Sequence, residues 1–443
     1  DRTGNRFRLE LIGAKGGTCE IEACSFEREK PIYDYAGALT SCRVEGDKVV
    51  IKGTLTAQNK GKTVTLYETE VDNYTDKLKN SEVIASVRAD GTDFTFEIPL
   101  KGNKTSRLPS MFLLGVDGVR VCDRFMIENW RDVLPNPYAF TLPGRTVKVT
   151  DADFGAKGDG YTNDTEAIQK AVDSVSAAGG GTVIVPGDRS EYGRRYIVTT
   201  IRLKSNVELR VESGAVLWQS PRPADYPYDV VYGHDVSIPG INWTHAGLCH
   251  NYPMIYAYDA ENIRLTGGGT LRSVDTGSEC IDSVSGDIIW TGCENRIHVI
   301  TIGMQGCKNV EISDIAIRRA NCYHMMLRNS SRVYIANLDM REATCASGDG
   351  IGVSSACTDV EIDRCILYSN DDSVTLCPGY NAPRGLVWWN ATPDADNSVR
   401  RVTIQSCNLC GGHGLTFIPW GTDNPDLSKQ LIEDITCTDC VLA

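Results

Sequence analysis

The sequence contains no run of about 18 consecutive apolar residues, and it does not open on an apolar segment, since it begins Asp1-Arg2-Thr3. The first absence excludes a membrane-spanning helix of ordinary length. The second predicts either a cytoplasmic protein or one whose signal segment has been removed. We expect the latter, with a secreted or periplasmic location.

An excess of positive charge is also lacking, because the formal net charge is -13 and the sequence pI is about 5.1. Such a chain repels a polyanion on approach, so we expect neither nucleic acid nor a membrane surface as partner. An acidic substrate needs only a local basic patch. The Gly-rich segments carry neither G-x-G-x-x-G nor a P-loop lysine after a strand, which argues against phosphate binding.

A compact disulfide framework is absent as well, although the chain has 17 cysteines, an odd number. Most of them fall inside β-like runs, so we expect buried free thiols that act as small hydrophobes. Cys407-x-x-Cys410 and Cys437-x-x-Cys440 have zinc-like spacing. Cys407 and Cys440, however, stand where other repeats carry apolar residues, and we predict neither a metal nor a cofactor.

Residues 1–142 consist of short alternating runs separated by Gly, Asn and Asp turns, which is typical of an all-β sandwich. The runs occupy residues 6–11, 49–55, 63–67, 94–98 and 111–121. They contain no cluster of candidate catalytic residues, so we expect an accessory domain. The proline-containing stretch 134–144 predicts a linker to a second domain at 143–443.

The second domain opens with the motif Asp153-Phe154-Gly155-Ala156-Lys157-Gly158-Asp159-Gly160 and an amphipathic pattern. The apolar positions that give the helical period are Ala167, Ile168, Ala171, Val172 and Val175. Asn163 or Asp164 is expected to cap the helix, and Gly179-Gly180-Gly181 to end it before a strand at 182–186.

From residue 205 onward an apolar-polar-apolar run recurs. The runs begin at Val207, Ile263, Val310, Val333, Val360, Val402 and Ile435. A repeat of this size with β rather than helical period predicts a stacked parallel solenoid. We therefore predict an all-β chain in which an N-terminal β-sandwich precedes a right-handed parallel β-helix, whose first coil the helix covers against edge pairing.

Three carboxylates and a histidine recur among the later coils: Asp349, Asp371, Asp372 and His413. Asp371 and His413 each follow a run start by eleven positions, which predicts equivalent places about 5 Å apart on adjacent coils. Asp349 is expected one coil earlier. Close carboxylates cannot all ionise cheaply, so one should have a raised pKa, as glycoside hydrolysis requires. The structural alternative is hydrogen bonding of turn aspartates to their own backbone.

These residues carry a resemblance to a known family. The opening motif with Gly179-Gly180-Gly181-Thr182-Val183 resembles the start of the pectin-lyase-like β-helix group. Asp349-Gly350-Ile351, Asp371-Asp372 and Gly412-His413-Gly414 resemble the successive motifs of glycoside hydrolase family 28, the polygalacturonases and relatives, as does the segment 295–300. The resemblance covers about residues 150–443.

The resemblance implies inverting hydrolysis of an α-linked, galacturonide-type polysaccharide. By motif, Asp371 would be the general acid, Asp349 and Asp372 would hold and activate the water, and His413 would assist by hydrogen bonding. Inversion implies carboxyl groups about 6.5 to 9.5 Å apart. Ser347-Gly348-Asp349 stands where the family usually has Asn-Thr-Asp, and no Arg-x-Lys motif follows His413.

A long insertion between Asp372 and His413 is rich in residues suited to sugar binding. The candidate substrate-binding residues in and around it are Tyr380, Arg384, Trp388, Trp389, Trp420 and Lys429, and His324 is expected to line the next coil along the cleft. Three alternatives stay open: an α-glucan hydrolase of the dextranase type, a polysaccharide lyase on the same fold, and a non-catalytic carbohydrate-binding β-helix.

Overall fold

The computed structural model describes residues 35–68, 82–99, 112–122, 125, 127–129, 136–188, 194–220, 225, 253–273, 280–281, 288–289, 300–343, 348–378, 395–418 and 426–442. Among these residues, no helix has the length and apolar character needed to cross a bilayer.

Two antiparallel sheets form the N-terminal part of the molecule. Their strands are β1 Gly37–Glu45, β2 Lys48–Leu55, β3 Thr63–Glu68, β4 Glu82–Arg88, β5 Asp93–Pro99, β6 Phe112–Val116 and β7 Val119–Arg120. The sheets have the orders β1-β2-β5 and β4-β3-β6-β7. Ile51 and Phe96 of one sheet share a buried core with Leu66 and Leu114 of the other, because alternate side chains of each strand point to the same face. The predicted run at residues 6–11 lies outside the described residues.

The rest of the described chain is one helix, short strands and their connections. These elements are β8 Thr146–Lys148, β9 Asp159–Asn163, α1 Thr165–Ala177, β10 Gly181–Val185, β11 Arg194–Val198, β12 Ile201–Arg202, β13 Val207–Val211, β14 Ala215–Gln219, β15 Ile255–Tyr258, β16 Glu261–Thr266, β17 Thr270–Arg272, β18 Cys280–Ile281, β19 Ile288–Ile289, β20 Ile302–Gln305, β21 Lys308–Arg318, β22 Met325–Arg328, β23 Ser331–Arg341, β24 Ile351–Ser354, β25 Thr358–Asp363, β26 Ile366–Tyr368, β27 Asp372–Cys377, β28 Val399–Gln405, β29 Asn408–Cys410, β30 His413–Phe417, β31 Ile432–Thr438 and β32 Val441–Leu442.

Parallel pairing between successive coils organises these strands into a solenoid. One sheet, within the described residues, has the order β12-β15-β20-β22-β24-β27-β30, and the path β8-β10-β13-β16-β21-β23-β25-β28-β31 runs along another. The run starts of the repeat stack on one another, as Val310 pairs with Val333 and Val360 with Val402. The predicted fold class, a right-handed parallel β-helix after a β-sandwich, is confirmed.

The solenoid interior is a continuous apolar core. Val310, Val333, Val360 and Val402 are each at most 1% exposed and belong to one cluster. The cysteine positions continue these ladders, and the Cys365 amide donates a hydrogen bond to the Cys407 Sγ at 3.3 Å. The described cysteines are mostly buried, as predicted, whereas Cys437 is exposed.

Helix α1 covers the first coil with its apolar face. Ile168, Ala171, Val172 and Val175 are fully buried in the solenoid core, as the periodicity predicts. The carboxylate of Asp164 does not cap the helix by a side-chain hydrogen bond, since it accepts instead from the Lys157 and Gly158 amides at 2.7 and 3.0 Å. The opening motif is therefore folded back onto the helix start.

The segment after the sandwich lies on an outer face of the β-helix. The Arg264 guanidinium stacks 4.5 Å from the Phe140 ring centroid, and Arg332 lies 5.6 Å from the ring centroid of Tyr138. These arginines belong to β16 and β23, outside the sheet that contains β24, β27 and β30. The division into domains at 142 and 143 stays a prediction.

A charged group is buried where β21 and β23 end. Asp339 is 0% exposed, and its Oδ1 accepts a hydrogen bond from Nε of the equally buried Arg341 at 2.5 Å. Arg318 donates to the other carboxylate oxygen of Asp339 and, at 2.6 Å, to its backbone carbonyl. Two guanidinium groups thus converge on one carboxylate away from water.

Candidate active site

The carboxylates and the histidine gather where consecutive strands of one sheet begin. Asp349 precedes β24, whereas Asp372 and His413 are the first residues of β27 and β30. Ile351 pairs with Val374, which aligns Asp349 with Asp372 two positions earlier, and Asp372 pairs with His413. The three side chains therefore stand in one row across adjacent coils.

This register corrects one prediction, because His413 aligns with Asp372 rather than with Asp371. Tyr368 pairs with Cys410, and three residues separate Tyr368 from Asp372 while only two separate Cys410 from His413. The shorter connection is Gly411-Gly412, where a Cβ on Gly411 would lie 2.4 Å from the Ser369 hydroxyl. Counting from the run starts missed this one-residue shortening.

A glycine beside Asp349 allows the coils to approach closely. A Cβ on Gly350 would lie 2.3 Å from the Ser373 carbonyl oxygen, a distance that no side chain tolerates. The Gly350 amide donates a 2.8 Å hydrogen bond to the Asp372 carbonyl. The Asp-Gly pair thus fixes the buried aspartate directly against the next coil.

Hydrogen bonds connect the four groups. His413 Nδ1 lies 2.9 Å from Asp372 Oδ1 and 3.4 Å from Asp371 Oδ1. The Thr375 hydroxyl lies 3.2 Å from Asp349 Oδ2 and 3.1 Å from Asp372 Oδ2. The side chains of Asp371 and His413 are 41% and 65% exposed, whereas Asp349 and Asp372 are buried. The cluster therefore has an accessible side and an enclosed side.

Burial and mutual repulsion perturb two of the carboxyl groups. Burial raises the pKa of Asp349 well above its usual range, and the charges of Asp371 and Asp372 add to the rise. Burial followed by the Asp372 charge raises the pKa of Asp371, while His413 opposes the rise. The direction of both shifts agrees with the expectation that close carboxylates do not all ionise, and two candidate acids therefore lie in one cluster.

His324 does not line the surface of the site, which corrects the prediction that it lies along the cleft. Its side chain is 0% exposed, and burial lowers its pKa to about 4. Its Nδ1 lies 2.8 Å from the Asp349 carbonyl oxygen, which can only accept, so Nδ1 carries the hydrogen of the neutral ring. His324 supports Asp349 from behind.

Of the other predicted substrate-binding residues, Lys429 is the one that the described part of the chain includes. Lys429 forms an ion pair with Asp426 at 3.6 Å. Five predicted residues lie outside the described residues, namely Tyr380, Arg384, Trp388, Trp389 and Trp420. Their binding roles stay predictions.

Thr375 was missed by the sequence reasoning, although a signal for it exists. In β27, Val374 and Leu376 point into the core, so Thr375 between them must face outward beside the aspartates.

As for cations, one ligand atom each from Asp371, Asp372 and His413 lies within 4.8 Å of the others. The contacts of His413 with both carboxylates already use this space, and we assign no metal to it.

Replacing Asp349 by Asn is expected to stabilise the protein at neutral pH. An acid with a raised folded-state pKa binds more protons folded than unfolded, so stability falls as pH rises from the unfolded value, about 3.9, through the folded pKa. Each unit of pKa difference is worth about 1.4 kcal/mol. Urea unfolding between about pH 3 and 8 should show that the unfolding free energy of D349N exceeds that of the wild type by an amount that grows with pH.

The control for this measurement is Asp359→Asn. The Arg401 ion pair lowers the pKa of Asp359, so its removal should destabilise at neutral pH and have little effect in acid. A D349N variant that gains no stability on going from acid to neutral pH would show that Asp349 is ionised in the folded protein.

Fold and site together define a parallel β-helix protein with carboxylates and a histidine at the edge of one sheet. Residues 249–443 match the family model described as Glycosyl hydrolases family 28. The predicted resemblance to the polygalacturonase-like proteins is confirmed, and the family match covers the part of the chain that carries the site.

Similar proteins carry related names. An exo-poly-alpha-D-galacturonosidase of Dickeya chrysanthemi is 25% identical over 272 residues, 54% of this chain and 43% of that protein. A polygalacturonase of Persea americana is 25% identical over 288 residues, 65% of this chain and 51% of that protein. The exopolygalacturonase structure from Thermotoga maritima has a TM-score of 0.47 at 21% identity, covering 67% of this chain and 70% of that one. The chain thus spans about half of each curated relative.

Proposed function

We propose that the protein is a glycosidase that cleaves an α-linked, pectic or galacturonide-type polysaccharide. The observation that carries the proposal is the convergence of Asp349, Asp371, Asp372 and His413 at the edge of one sheet, within a family 28 segment. Galacturonan is named in two similar proteins, which supports a pectic rather than a neutral substrate. Secretion or a periplasmic location, a polysaccharide as partner and the absence of a cofactor belong to the same proposal.

Asp371 is the proposed general acid. Its raised pKa keeps it protonated in a higher pH range, and its partial exposure lets it reach a bound substrate. It gives its proton to the glycosidic oxygen as the bond from that oxygen to the anomeric carbon breaks. Water forms the new bond to that carbon and gives a proton to the opposing carboxylate.

Asp372 is the proposed general base, and Asp349 lies next to it on the preceding coil. Asp372 is 4% exposed and lies 2.9 Å from His413 Nδ1, a contact that favours the carboxylate when Nδ1 carries hydrogen. One oxygen of Asp371 lies within 4.8 Å of one oxygen of Asp372, and inverting enzymes typically hold their two carboxyl groups about 6.5 to 9.5 Å apart. The stereochemical course is therefore the most informative property to measure.

Incubation with polygalacturonan is expected to release new reducing ends whose first-formed anomer is β, because inversion at an α-linkage produces it. The measurement is proton NMR of the anomeric region within the first turnovers, before mutarotation mixes the anomers. A first-formed α-anomer would mean retention through a covalent intermediate on the closely spaced carboxylate pair.

A substrate panel separates the alternatives. Pectins, alginate and α-glucans are compared for reducing ends and for ultraviolet absorbance. An unsaturated, absorbing product would assign a lyase, and activity confined to dextran would assign an α-glucan hydrolase. Binding without release of reducing ends from any of these glycans would leave a carbohydrate-binding β-helix and remove the glycosidase proposal.

A further inference from the structure

The hydroxyl of Thr375 bridges two carboxyl groups of the site. It lies 3.2 Å from Asp349 Oδ2 and 3.1 Å from Asp372 Oδ2, and the residue is 7% exposed. A hydroxyl has one hydrogen to donate and lone pairs with which to accept. Thr375 can therefore donate a full hydrogen bond to only one of the two carboxyl groups, and it can accept a second one from the other if that group carries a proton.

The bridge is satisfied when the two carboxyl groups share one proton. With both ionised, one carboxylate would face the hydroxyl oxygen without a hydrogen between them, in a site where both carboxylates are at least 93% buried. With one protonated, its O–H donates to Thr375, and Thr375 donates to the other. The geometry thus favours a proton on Asp349 or on Asp372.

The surroundings place this proton on Asp349. His413 on β30 lies within 2.9 Å of Asp372 and stabilises its charge, while the neutral His324 contacts the backbone carbonyl of Asp349 rather than its carboxyl group. Burial raises the pKa of Asp349, and the charge of Asp372 adds to the rise. The resulting chain runs from the Asp349 O–H to the Thr375 hydroxyl, then to the Asp372 carboxylate and His413.

We propose that Thr375 is a positioning residue that holds Asp349 as a neutral acid and Asp372 as the anionic base, so that Asp372 alone takes the proton of the attacking water. This assignment rests on the proposed function and divides roles that the family resemblance gives jointly to Asp349 and Asp372. In the hydrolytic step the water proton goes to Asp372 Oδ, the Asp371 proton goes to the leaving oxygen, and Asp349 keeps its proton.

The test compares T375V, which removes the hydroxyl at similar volume, with T375S, which keeps it. Loss of one hydrogen bond to a carboxylate should move the acid limb of kcat/KM up by about one to two pH units, because the hydrogen bond stabilises the anionic form of the base. T375S should keep the wild-type limb. An unshifted limb in T375V, or an equal shift in T375S, would overturn the proposal. T375A replaces T375V if the latter does not fold.

A second readout does not depend on catalysis, so it remains informative if the glycosidase proposal fails. Carboxyl-carbon NMR of aspartate-labelled protein is compared with D349N to identify the Asp349 signal. At about pH 5, above the ordinary aspartate pKa, this signal should be protonated in wild type and T375S. In T375V it should titrate at lower pH, because the protonated carboxyl loses its acceptor. An ionised Asp349 in the wild type, or a titration unchanged in T375V, would contradict the inference.

Discussion

Replacing Asp371 by Asn is expected to lower kcat on a polysaccharide by about 10²- to 10⁴-fold, the range that general acid catalysis contributes. The amide preserves the shape of the side chain but cannot deliver a proton to the leaving oxygen. Asp371 has the features of the acid because its pKa is raised and its side chain is 41% exposed beside His413. KM should change little, since the loss occurs mainly in the transition state.

A substrate with an acidic leaving group sharpens this experiment. An aryl glycoside of the sugar that the substrate panel identifies needs little protonation to depart, so the D371N defect should be much smaller on it than on the polymer. Asp359→Asn, whose site on β25 belongs to another sheet, is the matched control and should keep wild-type rates. Equal defects on both substrates would assign Asp371 a role other than the acid, and wild-type activity would remove it from catalysis.

Replacing Asp339 by Asn should destabilise the protein by about 3–5 kcal/mol, the usual effect of removing one partner of a buried ion pair. Arg341 is 0% exposed and donates to Asp339 at 2.5 Å, and Arg318 is 14% exposed. Without the carboxylate, two positive charges remain next to each other in the solenoid wall with reduced compensation. Denaturant unfolding followed by far-ultraviolet circular dichroism measures the loss.

The comparison for this variant is the exposed pair of Arg401 and Asp359, whose side chains are 52% and 30% exposed. Such a pair is worth about 0 to 1 kcal/mol, so D359N should change the unfolding free energy within that range. A D339N loss no larger than the D359N loss would mean that the buried guanidinium groups find other compensation in the folded chain.

The coil register shows how far counting along the sequence can reach. Run starts such as Val333, Val360 and Val402 pair as the repeat predicts, because inward apolar side chains must stack from coil to coil. The same count failed at His413, where Gly411-Gly412 shortens the connection by one residue. Turns outside the core ladder are not held to a fixed length, so a count through them loses its accuracy.

The sequence by itself determined the solenoid, the capping helix and the identity of the clustered aspartates, because hydrophobic period and residue type are local properties of the chain. Only the tertiary structure decided that Asp372 rather than Asp371 aligns with His413, that His324 is buried behind Asp349, and that Thr375 bridges two carboxyl groups. Hydrogen bonds and pKa values depend on distances of a few ångströms between coils 20 or more residues apart in sequence, and folding alone sets those distances.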